Sequence, residues 1–271
     1  MTTITLADFD TAAPWIAQLL TGAAEERDLV AAFTDEELVA LLGVGEEQIA
    51  PLIWLDRQPR DRHAFAASIA MRGLIARGLV QRLEDHQEPG RLVLSIPDEV
   101  LAVLAMRRTA SSILIAERQT NAGKHARVIY VQGELGVLEE NVNAGGLHSF
   151  SVCPERLALE DLAVLCDPDG LAGADVDLDP EEQRITLADF AQGGEVPAAL
   201  EQALSVTVIA AVTEPTAAGS EPGQDRVTVY CFADQVKVLR RSAESPDRLV
   251  IRRVGREGLR SVVGSLTGGT L

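Results

Sequence analysis

Apolar and polar positions follow the same order twice along the C-terminal two thirds of the chain, about 100 residues apart. Each copy opens with a short helical pattern (IPDEVLAVL and VPAALEQAL) that has proline in its first turn, where the missing N–H costs nothing. Matched strand-like segments follow, such as SILIAE and SVTVIAA, or RVIYV and RVTVY. An amphipathic helical pattern closes each copy. The pattern therefore predicts two helix–β–β–β–helix units that arose by duplication.

A six-residue segment, ITLADF, indicates where each copy starts. It occurs at residues 4–9 and again at 185–190. The two ITLADF segments are farther apart than the other matched segments, which are about 100 residues apart. This difference is explained if about 80 residues are inserted into the first copy, between the opening strand and Ile96. We therefore predict an α+β fold with pseudo-two-fold symmetry. The predicted parts are a first copy (1–166) with an inserted module at about 22–95, an acidic linker (167–184) and a second copy (185–271).

The inserted module is predicted to be mostly helical. TDEELVALLGV (34–44) has threonine at the N-cap position and acidic residues in the first turn, as helix starts prefer. RHAFAASIAMRGLIARGLV (62–80) has an Ala-rich amphipathic pattern that ends near Gly78. Residues 81–96 have the pattern of a hairpin with a turn at Glu88-Pro89-Gly90. Helices followed by such a hairpin resemble a winged helix.

Composition limits the partners of this chain. It has 271 residues and a formal net charge of −17, so it repels nucleic acid and anionic membranes unless a local basic patch is present. No apolar run approaches the length of a membrane span, and the N-terminal MTTITLADFD lacks the apolar core of a signal peptide. Cys153, Cys166 and Cys231 are odd in number and widely spaced, which is typical of reduced, packed thiols. We expect a cytoplasmic protein.

The sequence contains no catalytic or metal-binding signature. His63, His86, His125 and His148 stand alone, without an HExxH or CxxC partner, and we interpret each as a surface or edge residue. No GxSxG motif is present. The acidic linker has aspartates at the spacing of a calcium loop, but it lacks the turn glycine and the closing glutamate. We therefore expect no catalysis, no cofactor and no metal, and an exposed linker that does not bind calcium tightly.

Charge is spread unevenly between the two copies. Acidic residues dominate 134–201, whereas basic residues dominate 237–260. If the copies pack about a pseudo-two-fold axis, opposite charges at equivalent positions can face one another. Alternatively, the arginines form the charged rim of a partner site, or both sets are solvated faces that contribute little energy. The candidate interface residues are Glu139, Glu140, Arg240, Arg241, Arg252 and Arg253.

A local basic excess in the inserted module leaves DNA binding open as an alternative. Residues 57–91 contain seven arginines and four acidic residues. A winged helix places one helix in the major groove, but no aromatic or Asn/Gln cluster is positioned here for base readout. The module can equally serve only for packing. The candidate DNA-binding residues are Arg57, Arg60, Arg62, Arg72 and Arg77.

The complete layout resembles the EspG family, the cytosolic chaperones of actinobacterial type VII (ESX) secretion. The resemblance rests on ITLADF, the Ala-rich helix that runs into RGLV, the two repeated units and the closing pattern VTVYCFADQVKVLRR…LVIRRVGREGLRSVVGSLTG. It implies a pseudo-two-fold α+β fold without catalysis and a helical secretion substrate, typically a PE–PPE pair, held by its apolar tip. We therefore expect a non-enzymatic protein-binding module with a site that is apolar at its centre and polar at its rim. The alternative is a winged-helix transcriptional regulator with a duplicated sensor or dimerisation region.

Overall fold

The chain folds as a mixed α+β protein. A computed structural model describes residues 10–23, 25–84, 92–173, 182–213 and 223–266. The helices of this part are α1 (Ala13–Gly22), α2 (Asp35–Leu42), α3 (Arg60–Ala76), α4 (Asp98–Thr109), α5 (Glu155–Cys166), α6 (Leu187–Ala191), α7 (Glu195–Leu200) and α8 (Arg256–Ser265). The strands are β1 (Asp28–Thr34), β2 (Gln81–Glu84), β3 (Leu92–Ser95), β4 (Ser112–Thr120), β5 (Gly123–Val131), β6 (Val137–Val142), β7 (Leu147–Cys153), β8 (Glu182–Thr186), β9 (Ser205–Thr213), β10 (Gly223–Cys231), β11 (Val236–Arg241) and β12 (Arg248–Val254). Short 3₁₀ turns lie at Asp10–Ala12, Leu55–Arg57 and Gly133–Leu135.

The chain divides into two compact units. The first holds residues 1–110 and 130–154, and the second holds residues 111–129 and 155–271. This division differs from the predicted boundaries of the two copies. It differs because β4 and α5, which belong to the first copy in sequence, pack within the second unit: β4 pairs with β9 and α5 packs against α8.

The first unit is built on an antiparallel ladder in the order β1-β7-β6. The β1–β7 register runs from Asp28 opposite Val152 to Thr34 opposite Leu147. Helix α4 packs against β1, β6 and α1. Six consecutive residues of α4, from Ala102 to Arg107, are buried, so this half of the helix is enclosed on all sides. Val100 is also buried, and Arg107 is the one charged residue among these positions.

Strand β1 changes the interpretation of the predicted inserted module. It lies within residues 22–95 but pairs with β7, so the module shares the ladder of the first unit and is not a separate helical insertion. Other predicted features of the module are confirmed. Thr34 caps the start of α2, whose first turn is acidic, α3 ends before Gly78, and β2 pairs with β3. The predicted hairpin turn lies outside the described residues, and the winged-helix interpretation stays a prediction.

The second unit is built on an antiparallel sheet in the order β4-β9-β10-β11-β12-β8. Strands β4 and β9 pair along their whole length, from Ser112 opposite Thr213 to Thr120 opposite Ser205. Helices α5 and α8 pack against each other and against strands of this sheet. All three cysteines of the chain are free and buried, as predicted.

Among the described residues, the two predicted helix–β–β–β–helix units, 96–166 and 196–267, each contain four strands, one more than predicted. A tight turn separates β6 from β7, where the Asn143 side-chain oxygen accepts hydrogen bonds from the backbone N–H groups of Gly145 and Leu147. A second turn separates β11 from β12, where the N–H of Arg248 donates to the carbonyl of Ser245. The segments Asn143-Ala144-Gly145-Gly146 and Ser245-Pro246-Asp247 have the residue types that favour turns, and each one divides two strands. Superposition of the two copies stays a prediction.

The second ITLADF segment is a strand-to-helix junction and not an opening strand. Strand β8 ends at Thr186, whose hydroxyl accepts from the N–H of Asp189 at 3.0 Å and donates to its carboxylate at 2.7 Å. This cap starts α6 at Leu187. Strand β8 also shortens the predicted linker, because Glu182 pairs with Arg252 of β12. The first ITLADF segment and residues 174–181, with the aspartates of the calcium-loop pattern, lie outside the described residues.

Candidate functional site

The two candidate interface carboxylates lie in the interior of the first unit. Glu139 and Glu140, both on β6, are fully buried. Glu139 forms an ion pair with Arg27 at 2.7 Å, and Glu140 forms one with Arg107 at 3.0 Å. A solvated face is therefore the wrong interpretation for both, because a buried carboxylate needs a nearby cation. Those cations are Arg27 and Arg107, not the arginines of β11 that were proposed as their partners.

Glu140 is the centre of a network of buried polar side chains. One carboxylate oxygen accepts hydrogen bonds from Arg107 Nε at 3.0 Å and from the hydroxyl of Tyr130 at 2.6 Å. The other oxygen lies 2.6 Å from His148 Nδ1. The second ring nitrogen of His148 lies 2.7 Å from Asp35 Oδ1. These five residues, Asp35, Arg107, Tyr130, Glu140 and His148, are called the buried network below.

Asp35 connects the buried network to the chain around Trp54. It is the first residue of α2, and its Oδ2 accepts hydrogen bonds from the N–H groups of Trp54 at 2.8 Å and Leu55 at 2.7 Å. Its own N–H donates to the carbonyl of Gly146 at 2.9 Å. Asp35 therefore joins the start of α2, the turn before β7 and the 3₁₀ turn that begins at Leu55.

Gly146 is required by this close approach. Its φ of +73° lies in the left-handed region, and a Cβ built there would stand 2.7 Å from both Asp35 Oδ2 and the Trp54 Cβ. No side chain fits without moving the Asp35 carboxylate, which anchors Trp54. Gly146 is therefore needed both for the β6–β7 turn and for the position of Asp35 in the buried network.

The geometry determines the charge of His148. Both ring nitrogens face carboxylate oxygens, and a neutral imidazole can donate from only one of them. The imidazolium form donates to both Asp35 and Glu140. With Arg107 also charged, the network then holds two cations and two carboxylates, so its net charge is zero. This balance allows four ionised side chains to be buried together.

The pKa shifts agree with that charge state. Burial lowers the pKa of His148, but its hydrogen bonds to Asp35 and Glu140 outweigh burial and raise it above its ordinary value. Burial raises the pKa of Glu140, but Arg107 and His148 outweigh burial and lower it. Burial and the charge of Glu140 raise the pKa of Tyr130, so the phenol stays protonated and donates. These directions favour the ionised forms of His148 and Glu140.

The interpretation of His148 as a surface or edge residue is wrong, because its side chain is fully buried. The sequence does contain a signal for its position. On β7 it alternates with Phe150 and Val152, which are buried, and on α4 Arg107 falls at the helical spacing of buried apolar residues. Polar residues at core positions of both patterns indicate a buried ion pair. The network has no exposed nucleophile, and a structural role explains all its contacts.

An exposed apolar groove lies between α2 and α3 of the first unit. It has a volume of about 630 Å³. Its apolar surface is formed mainly by Trp54, Phe65 and Ile69, whose side chains are 37%, 69% and 54% exposed. Its polar edge contains Glu36, Glu37, Gln58, Asp61 and Arg62. We call this site the α2–α3 groove.

Helix α3 has two apolar stripes, and only one of them is buried. Ala67, Met71 and Leu74 point into the first unit. Phe65 and Ile69 are exposed one turn apart, beside the small residues Ala66 and Ala70 of the groove. A surface helix normally presents a polar outer face, so a second stripe of this kind indicates an interaction surface.

The candidate DNA-binding arginines are all exposed, but they do not form one uninterrupted basic surface. Arg77 forms an ion pair with Glu37. Arg62 lies at the edge of the α2–α3 groove, next to Asp61. The others, Arg57, Arg60 and Arg72, lie on the 3₁₀ turn and along α3.

The candidate arginines of the second copy divide into two pairs. Arg240 and Arg241 are exposed at the end of β11 and line a cleft of about 720 Å³. Arg252 and Arg253 on β12 are half-buried, and Arg252 Nε is buried without a hydrogen-bond partner among the described residues. The cleft also contains Arg226, so we call it the basic cleft.

The described part of the chain contains no group of three or more His, Cys, Asp or Glu residues arranged to hold a metal ion. No helix within the described ranges is long and apolar enough to cross a membrane. No protein-family model matches the chain, and no curated protein matches it.

Proposed function

We propose that this protein is a non-enzymatic protein-binding module that holds an amphipathic helix of a partner protein in the α2–α3 groove. The observation that carries the proposal is the second apolar stripe of α3, where Phe65 and Ile69 are exposed. The resemblance to the EspG family points to the same kind of partner, a helical type VII secretion substrate whose apolar tip needs cover in the cytoplasm.

The groove has the features of a helix-binding site. Phe65 and Ile69 supply apolar anchors, while Ala66 and Ala70 leave room for a second helix at the usual 8–10 Å axis separation. Trp54 supplies a large apolar surface and is held in place by its hydrogen bond to Asp35. A preorganised aromatic anchor reduces the ordering cost of binding.

We also propose that the two copies are related by a pseudo-two-fold axis, as such a chaperone fold implies. The support is the β4–β9 ladder, in which both strands have nine residues and pair from end to end. Its central pair is Ala116 opposite Ile209, where the axis would pass.

The test combines isolation of the partner with a groove variant. The protein is purified from its native host, the bound protein is identified, and direct binding is measured by calorimetry. We expect a helical partner and at least a hundredfold loss of affinity in the Phe65→Asp/Ile69→Asp variant, because each buried apolar side chain contributes about 1.5–3 kcal/mol. Leu135→Asp is the control, since Leu135 is 62% exposed and lies outside the groove. Unchanged affinity in the groove variant would overturn the proposal.

The DNA-binding alternative is favoured by the exposure of all five candidate arginines. It predicts retention on duplex DNA that falls steeply with salt, because each phosphate contact releases counterions. It also predicts that Arg60→Ala/Arg72→Ala lowers this retention. The helix-binding proposal predicts no DNA retention at physiological salt.

A further inference from the structure

The basic cleft belongs to the second unit, whereas the α2–α3 groove belongs to the first. It is formed where β10, β11 and β12 lie side by side, with Thr228 opposite Leu239 and Arg241 opposite Leu249. Its volume of about 720 Å³ is within the range of ligand-binding clefts.

Three arginines of the basic cleft have no carboxylate partner among the residues that the structure describes. None of the ion pairs among the described residues involves Arg226, Arg240 or Arg241. Asp225, the one carboxylate among the described residues of the cleft, accepts a hydrogen bond from the N–H of Arg226 at 2.8 Å. In a chain of net charge −17, three arginines that line one cleft and have no described carboxylate partner are a local exception. They attract an anion although the whole protein repels one.

The remaining walls of the basic cleft are apolar or donate hydrogen bonds. Phe190, Leu239 and Leu249 contribute apolar surface, and Thr228 and Tyr230 contribute hydroxyl groups. Burial raises the pKa of Tyr230, with Arg226 acting in the opposite direction, so the phenol stays protonated and can donate. The ligand that fits these walls carries negative charges and apolar groups together.

We propose that the basic cleft binds an extended acidic peptide segment in which carboxylate and apolar side chains alternate. An extended chain presents successive side chains to opposite sides, so its carboxylates can meet the arginines while its apolar side chains meet Phe190, Leu239 and Leu249. A free phosphate ion leaves those apolar walls unused. A nucleic acid brings a long polyanion close to a strongly acidic protein, which is unfavourable.

The test measures fluorescence anisotropy of labelled eight-residue peptides at low and physiological salt. We expect saturable binding of a peptide that alternates Asp and Leu, weaker binding as salt rises, and at least fivefold weaker binding when Leu is replaced by Ser. A peptide that alternates Lys and Leu should not bind. Equal binding of the Asp/Leu and Asp/Ser peptides, or tighter binding of a single-stranded oligonucleotide, would overturn the proposal.

Variants of the basic cleft test whether the Asp/Leu peptide binds there. Arg240→Glu/Arg241→Glu should weaken binding of the Asp/Leu peptide at least about tenfold, because two attractions become repulsions. Both side chains are exposed, so the fold should hold, and Arg240→Gln/Arg241→Gln provides a milder second variant. Arg72→Glu reverses the charge of an exposed arginine in the first unit and should leave the affinity for the Asp/Leu peptide unchanged. If both double variants bind as tightly as the parent, the peptide lies elsewhere and the proposal fails. Loss of partner binding in the groove variant has no bearing on this result.

Discussion

Replacing Glu140 by glutamine removes the charge at the centre of the buried network and keeps the size of the side chain. Arg107 then stays buried without its carboxylate, and His148 loses one of its two anionic partners. Removing one partner of a buried ion pair typically costs 3–5 kcal/mol, because the remaining charge is uncompensated. We expect the free energy of unfolding to fall by about this amount in Glu140→Gln, a large share of the 5–15 kcal/mol of a typical domain.

Urea unfolding followed by tryptophan fluorescence measures this loss directly. Both tryptophans, Trp15 and Trp54, belong to the first unit, so their signal reports on the part of the chain that holds the network. Glu134→Gln is the matched control, since Glu134 is exposed and its change should stay within about 0.5 kcal/mol. A loss below about 1 kcal/mol for Glu140→Gln would refute the reasoning.

A double-mutant cycle separates the charge from the packing. If the loss in Glu140→Gln is caused by the unpaired Arg107, then Arg107→Gln/Glu140→Gln should cost less than the sum of the two single changes. The expected coupling energy is about 1–3 kcal/mol. Additive losses would show that the ion pair is not the cause.

Two further predictions concern the same part of the molecule. The folded state raises the pKa of His148, so the contribution of His148 to stability is complete below pH 6.5 and is lost as pH rises through its folded pKa. The folded state lowers the pKa of Glu140, so the contribution of Glu140 is complete above pH 4.5 and is lost as pH falls through its folded pKa. Stability measured by urea unfolding should therefore be greatest between these values, and the alkaline decline should shrink in His148→Gln; an undiminished decline in that variant would assign it to other groups. Gly146→Ala should destabilise the protein by at least about 1 kcal/mol more than Gly78→Ala. Both glycines have φ near +74°, but only at Gly146 does the added Cβ meet atoms at 2.7 Å, so equal losses would contradict the contact argument.

Local sequence signals identified most elements of the fold. The threonine N-cap of α2, the end of α3 near Gly78 and the closing helices α5 and α8 are predicted by the sequence, because each depends on residues within a few positions of one another. Two of the failures were also local. ITLADF combines a strand end with a helix cap, and a turn was noted at Asn143 without a strand being counted on each side of it.

Pairing between distant residues was decided only by the tertiary structure. Asp35 and His148 are 113 residues apart, and neither has a neighbour in sequence that indicates the other. The charge pattern suggested that Glu139 and Glu140 meet the arginines of β11, but charge alone does not specify which cation is close. The α2–α3 groove was equally hidden, since an Ala-rich amphipathic pattern does not show which of two apolar stripes the fold covers. Periodicity determines that a face is apolar, whereas packing of the chain determines whether that face becomes core or surface.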